Sequence, residues 1–495
     1  MALWLALLLA AWATALAFTG AIMARADCAA SGERGVHAAT LFALLAATGL
    51  GYALAHGDLG LRYVASWSSY ATPLPYRIGA VWAGPSGTLL VWAAVLGAGT
   101  SLAAAALPRT GGLRAWVTAL LALLLLAILG MACFDTNPFL HLPFPPDDGR
   151  GLPLEWMRPI ALVTVPVAYA AQSLVSVPAV IVVMGVLGGD DAWRASARRW
   201  TLGCWALLTL AVLLDWRRRY GVGDWADDWR WAPVHAGTAV SWLGVSVLAV
   251  AILVRARASA LLAAAFAAFA LALVGLTMRR AGGWDGVHAF AASAAGRASG
   301  WVMLIVLLVA LAGAWGTPVR AQLGRAGHTV LAAVLVASLA LVAAGFGVQR
   351  DLALAEGGRG SVTDRFGTVW TLSLEGISNV DRENVGVGIV SLRAAVKGRA
   401  RGYIAPEVRA LYAPASNEPS EELQVTGISA GPAQDLLVDP RQVGRGDAVL
   451  SVRFIPGATF LWLGGLAAAI AALVLAFGMS SVVAAAPVPA TEQAS

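Results

Sequence analysis

Charge is what this chain has least of. Asp, Glu, Lys and Arg make up 13% of its 495 residues, about half the share found in soluble domains. Hydrophobic residues make up 59%, and mean hydropathy is +0.73. A water-soluble fold cannot hide that much apolar surface, so the composition requires many membrane crossings. Cysteine is scarce too. Cys28, Cys133 and Cys204 form no CxxC pair and no metal-ligand spacing, which excludes a disulfide framework and a local thiol-exchange motif. A catalytic triad, a Walker loop and a dinucleotide fingerprint are all missing. The net charge of +6 is almost all arginine in short loops, a topology signal that gives no reason to invoke nucleic acid. The first apolar stretch lacks a basic n-region and is long enough to cross, so it reads as a span and not as a cleavable signal peptide.

What the chain does have is a succession of apolar runs. A crossing needs about 20 apolar residues, and eleven runs approach that length: 2–22, 37–56, 84–106, 115–134, 160–187, 200–215, 236–254, 259–277, 299–316, 328–347 and 457–478. The expected fold class is therefore an α-helical polytopic membrane protein of about eleven transmembrane helices, with a small β-rich extracytoplasmic domain before the last helix. Residues 1–347 form the multi-spanning part and 457–478 the final span. Residues 479–495 read as a disordered cytoplasmic tail. Residues 348–456 alone have soluble-domain composition. Their short alternating runs, Val369–Leu372 and Val449–Phe454 among them, read as strands. Loops after alternate spans carry Arg25/Arg34, Arg109/Arg114, Arg194/Arg198/Arg199, Arg255/Arg257 and Arg320/Arg325. By the positive-inside rule these loops face the cytoplasm, which puts the N-terminus outside and the C-terminal tail inside.

One outer stretch stands apart. Trp216–Trp242 (WRRRYGVGDWADDWRWAPVHAGTAVSW) holds five of the chain's 20 tryptophans. Indoles beside guanidinium groups at a membrane boundary suit a large planar ligand with acidic groups. They also suit an interfacial anchoring belt, since tryptophan collects at headgroup depth. Arg217, Arg218 and Arg219 break the positive-inside pattern. Two readings follow, a structural pairing with Asp224, Asp227 and Asp228 or a site for carboxylates. Three further outer segments are Trp67–Trp92, where Gly84-Pro85-Ser86-Gly87 breaks the run and starts the third span, the Pro-rich loop Phe134–Trp156, and Arg279–Arg297 with His288. His37, His56 and His141 sit at span ends or in loops and read as solvated.

DWADDWRWAPVHAGTAVSWL (Asp224–Leu243) resembles the tryptophan-rich "WWD" motif of haem-handling proteins of cytochrome c maturation, and among them the CcmF haem lyase family. Further similar segments follow in the same order: PLPYRIGAVWAGPSGTLLVW (Pro73–Trp92), TNPFLHLPFPPDDGRGLPL (Thr136–Leu154), GWDGVHAFAASAAGR (Gly283–Arg297), AGHTVLAAVLV (Ala326–Val336) and RFIPGATFLWLGG (Arg453–Gly465). The chain is shorter than the family norm. It also departs from the motif, with Ala232 where the family has Asp, and His235 and Ala236 where it has Glu-Asn.

The resemblance implies a cytochrome c biogenesis protein in a bacterial cytoplasmic membrane. Such a protein handles haem at an outer Trp-rich site and joins its vinyl groups to two thiols of an apocytochrome CxxCH motif. Haem b is the implied cofactor. Apocytochrome c, other maturation membrane subunits, a haem-delivery chaperone and membrane lipid are the implied partners. The family is described as using an outer and a membrane pair of histidines. His288 matches one outer ligand and His328 one membrane ligand, while the other two positions fall at Thr164 and near Val250. The site thus implied comprises Trp225, Trp229, Trp231, Trp242, His288 and His328, with His235 as a candidate for the absent outer ligand, although an interface histidine bonded to backbone or water is its plainer reading. A haem-free paralogue acting as a membrane assembly scaffold is the alternative. A solute transporter fits less well, for no inverted repeat or pair of broken charged helices is visible.

Overall fold

The structure is a computed structural model. It describes residues 1–108, 112–189, 191–222, 233–280, 329–330, 332–337, 339–340, 347–382, 385–412 and 419–477. The apolar runs fold as helices: α1 (Ala2–Ile22), α2 (Ala26–His56), the short α3 (Arg62–Trp67) and α4 (Leu74–Gly79), α5 (Pro85–Ala106), α6 (Leu113–Phe134), α7 (Pro159–Leu174), α8 (Ser176–Gly188), α9 (Trp193–Tyr220), α10 (Pro233–Leu253), α11 (Ala258–Arg280) and α12 (Ala458–Phe477). Among the described residues, eight helices are long and apolar enough to cross a membrane, α7 and α8 counting together as one, and the apolar part of α10, Gly237–Leu253, is shorter. The expected span 299–316 lies outside the described residues. Of the expected span 328–347, residues 329–330, 332–337 and 339–340 are helical.

Several helices outrun their apolar runs. α2 begins at Ala26, well before residue 37, and Glu33 within it forms an ion pair with Arg114 of α6. Small residues set how the first two helices pack. A Cβ on Gly20 would lie 2.4 Å from the Ala29 nitrogen, and one on Gly32 would lie 2.7 Å from the Ala17 nitrogen. The two backbones are therefore in contact, which is how membrane helices gain packing where lipid supplies no hydrophobic drive. The joint between α7 and α8 also has a local cause. Pro178 has no N–H for the Leu174 carbonyl one turn back, and the Cys204 thiol of α9 donates to that oxygen instead, at 3.4 Å.

Between the bundle and α12 the chain forms two antiparallel sheets from ten strands: β1 (Val348–Ala355), β2 (Arg359–Thr363), β3 (Val369–Arg382), β4 (Val385–Val396), β5 (Arg399–Ile404), β6 (Glu407–Tyr412), β7 (Pro419–Val425), β8 (Gly427–Ser429), β9 (Gln434–Val443) and β10 (Asp447–Pro456). One has the order β1-β10-β9-β8 and the other β2-β3-β4-β6-β7, with β5 pairing the distal half of β4. The predicted strand runs at Val369 and Val449 lie in β3 (Val369–Arg382) and β10. Alternation builds the core. Ala448, Leu450, Val452 and Phe454 of β10 face inward with Leu372, Leu374, Val390 and Leu392, and the Trp370 ring meets Phe454 at 5.7 Å. This β-rich domain precedes the last helix, as expected. A separate apolar cluster joins it to the bundle, in which Leu154, Tyr220 and Val222 pack with Leu423, Leu437 and Ile455.

Candidate functional site

The site is built from the end of α9 nearest the β-rich domain. At 28 residues α9 is about 42 Å long, against a hydrocarbon core of about 30 Å. It is thus long enough to reach beyond the lipid, and its last turn is Arg217-Arg218-Arg219-Tyr220. The three arginines had been expected in a loop. They continue the helix because arginine is a good helix former and its charge complements the negative helix C-terminus.

Each guanidinium has a distinct setting. Arg217 lies over the Tyr220 ring at 5.7 Å, and Arg218 lies over the Trp156 ring at 5.7 Å. Arg218 and Arg219 both face one Glu155 oxygen, at 3.5 and 3.7 Å. Asp224, Asp227 and Asp228, the acids proposed as partners, lie outside the described residues. Arg158 donates from Nη1 to the Arg218 carbonyl at 2.9 Å, one of the helix-end oxygens that no intrahelical N–H reaches. Arg218 is only 5% exposed, yet among the described residues its Nε and Nη1 have no hydrogen-bond partner, and neither does Arg219 Nε. Burial, set against the pull of Glu155 and joined by the charges of Arg409, Arg218 and Arg217, pushes Arg158 down to about 10. Among the described residues, Arg218 and Arg219 thus share the one Glu155 carboxylate. An uncompensated buried charge costs several kcal/mol, so the arrangement favours an incoming anion.

The seam is held by polar bonds as well as by the apolar cluster. Tyr220 donates to Asp435 at 3.0 Å, the Leu154 N–H donates to Glu421 at 3.1 Å, and Thr426 N–H donates to the Gly221 carbonyl at 3.3 Å. Beside it a cavity of about 820 Å³ opens between Pro73–Arg77, Met157 and Pro159 on one wall and the sheet face of Val385, Val387 and Arg409 on the other. Arg77 Nε is buried there without a hydrogen-bond partner.

Of the predicted site residues, Trp225, Trp229, Trp231, His288 and His328 lie outside the described residues. His235 is in the first turn of α10. Trp242 is nearly three turns into the same helix, with its ring 5.7 Å from Trp205 of α9 and its indole N–H donating to Thr209 at 2.8 Å. Its described contacts are thus those of the α9–α10 packing. Thr164 is fully buried in α7 and its hydroxyl donates to the Ile160 carbonyl at 2.8 Å. Val250 is 52% exposed on α10. Sequence reasoning did not single out Glu155, Trp156, Arg158 or Arg77. The acid–indole–base order of Glu155-Trp156-Arg158, closing a Pro-rich loop, is the signal that could have found the first three.

No family model matches the chain. It is 33% identical over 255 residues to the cytochrome c-type biogenesis protein CcmF of Pseudomonas aeruginosa, covering 49% of this chain and 38% of that one. It is 30% identical over 301 residues to CcmF of Escherichia coli K12, covering 58% and 46%. The matches thus span less than half the length of these curated relatives. A solved structure of "Cytochrome c Heme Lyase CcmF" superposes with a TM-score of 0.72 at 18% identity, covering 96% of both chains. The chain is CcmF-like in sequence and in fold, and it is a multi-pass membrane protein.

Proposed function

We propose that this chain is a membrane component of cytochrome c-type biogenesis that receives haem on the side of the bundle bearing the β-rich domain. The observation that carries the reading is Arg218: a guanidinium 5% exposed, over an indole, with two nitrogens that have no partner among the described residues. A porphyrin carboxylate supplies an acceptor for one of those nitrogens, in a charge-assisted hydrogen bond. Arg218, Arg219 and Arg158 hold the propionate end in this reading, and Trp156 adds an aromatic face. The Trp225, Trp229 and Trp231 indoles, with Trp242, belong to the same outer site. His288 is the outer axial donor with His235 as its candidate partner, and His328 is a membrane donor; neutral imidazole is the usual ligand of haem iron.

When bound, haem b supplies the vinyl groups that take up two cysteine thiols of an apocytochrome. This chain's own residues neutralise the carboxylates, stack the ring and exclude water, which fits a protein without an acid–base pair or nucleophile of its own. The β-rich domain lies on the outer side of a bacterial cytoplasmic membrane, where it docks apocytochrome c, a haem-delivery chaperone or another maturation subunit. Pyridine haemochrome analysis of the detergent-solubilised protein tests the proposal. Haem with a Soret band is expected, with loss in His288→Ala and weakened retention in Arg218→Gln. Protein purified without haem, and unable to take it up, overturns it.

One pair of observations favours a second reading, an assembly scaffold that binds no haem. The position matching the family's second outer ligand is Thr164, buried with its hydroxyl already bonded, and the position near its second membrane ligand is Val250, half exposed. Haem-free protein that co-purifies with partner membrane subunits supports this view.

A further inference from the structure

At the end of the bundle away from the β-rich domain, three helix ends meet around a cavity of about 590 Å³. It is lined by Trp193, Arg194 and Arg198 from α9, Ile252 and Leu253 from α10 with Arg255 just beyond, and Leu475 from α12. We propose that this cavity binds the phosphate headgroup of an anionic phospholipid, whose acyl chains run down the lipid-facing side of α10 and α12.

Charge is the first ground. The polar lining is three guanidiniums, and no carboxylate is among the described lining residues. Among the described residues Arg198 and Arg255 have no acidic partner. Arg194 pairs with Asp191 at 2.6 Å, but that acid is 81% exposed, so its charge is largely screened. The C-terminal ends of α10 and α12 also point here and oppose an anion with about half a charge each. Arg198 answers one of them by donating from Nη2 to the Leu475 carbonyl at 3.3 Å. Three full charges against two half charges leave the cavity positive. Arg198 Nε is buried without a hydrogen-bond partner among the described residues.

Shape and position are the second ground. The Trp193 wall is fixed: it is 2% exposed, and a Cβ on Gly185 of α8 would lie 2.1 Å from its ring. Arg194 lies over the same ring at 4.9 Å, which holds its guanidinium at the mouth. Just outside, Val254, Leu473, Val474 and Phe477 are exposed apolar side chains, the surface that acyl chains cover. Arg199 and Arg217 on α9 are 18 residues apart, about 27 Å along the axis. The two arginine groups of α9 therefore bracket the hydrocarbon core, and this cavity opens at headgroup depth. A soluble anion needs no such apolar flank; a phospholipid does.

The test is native mass spectrometry of the full-length protein in detergent with added phosphatidylglycerol, cardiolipin or phosphatidylcholine, and with inorganic phosphate as competitor. Wild type is expected to retain the anionic lipids over phosphatidylcholine, with millimolar phosphate failing to displace them. Arg198→Gln and Arg255→Gln are each expected to weaken retention about fivefold and together about twenty-fivefold, at about a factor of five per guanidinium near a lipid surface. Arg255→Gln lies outside the helices and decides the matter if the Arg198 variant does not fold. Equal retention of phosphatidylcholine, unchanged retention in both single variants, or full displacement by phosphate each overturns the proposal.

Discussion

At the scale of single residues, Tyr220 and Glu421 carry the seam between bundle and β-rich domain. Tyr220 is 1% exposed and donates to Asp435. Tyr220→Phe leaves a buried carboxylate without that donor and should cost about 1–3 kcal/mol, seen as earlier thermal release or proteolysis of the β-rich domain. Glu421 makes a pH prediction. Burial foremost, opposed by the Leu154 N–H and assisted by the charge of Glu155, holds its carboxyl above the ordinary 4.5. A carboxyl raised on folding contributes stability that is present below its unfolded value and is lost as pH rises through the folded one. The seam should therefore tighten on acidification towards pH 4.5. Hydrogen exchange at the Leu154 amide should slow over that range after correction for intrinsic rates. Glu421→Gln, which still accepts from Leu154, should reduce that dependence, leaving the share of Asp435, whose carboxyl burial also raises; an unchanged slope would place its origin elsewhere.

At the scale of elements, helix position within the bundle decides what a glycine is for. Gly32 and Gly49 both lie on α2, and their surroundings are opposite. A Cβ on Gly32 meets the Ala17 backbone at 2.7 Å, while one on Gly49 meets nothing within 4 Å. Gly32→Ala should destabilise by about 1–3 kcal/mol through forced separation of α1 and α2. Gly49→Ala should be neutral or stabilise by up to about 1 kcal/mol, the helix-propensity gain alone. Thermal denaturation in one detergent reads both, and equal effects would mean the α1–α2 contact is not set by Gly32. The strand pattern was legible in the same local terms. Alternating runs at Val369 and Val449 mark a face packed against a partner sheet, and β3 and β10 bear them. The ends of α2 and α9 were not legible, because a hydropathy run marks the lipid and a helix stops only where its caps and packing stop it. Hence Arg217, Arg218 and Arg219 belong to a helix that leaves the membrane, not to the loop beyond it.

At the scale of the whole molecule, the described residues include a helical core, a β-rich core and a joint between them. The β-rich domain has its own apolar interior, and a separate cluster including Leu154, Tyr220, Leu423 and Leu437 ties it to the helices. Leu437 is fully buried in that joint. Leu437→Ala should cost about 2–5 kcal/mol and lower a first unfolding transition, that of the β-rich domain, while leaving the helical transition in place. Hydrogen exchange with mass spectrometry separates the two; a single shifted transition would mean the cores unfold as one. What the sequence determined alone was the class, because 59% hydrophobic residues in runs of membrane length admit no soluble solution. It also determined the β-rich insert, because composition and period change together there. The tertiary structure alone decided which charges meet. Glu155 and Arg218 are 63 positions apart, and neither knows of the other until the α6–α7 loop folds back over the end of α9. No local period encodes that meeting, since an ion pair across a seam depends on where two elements end in space.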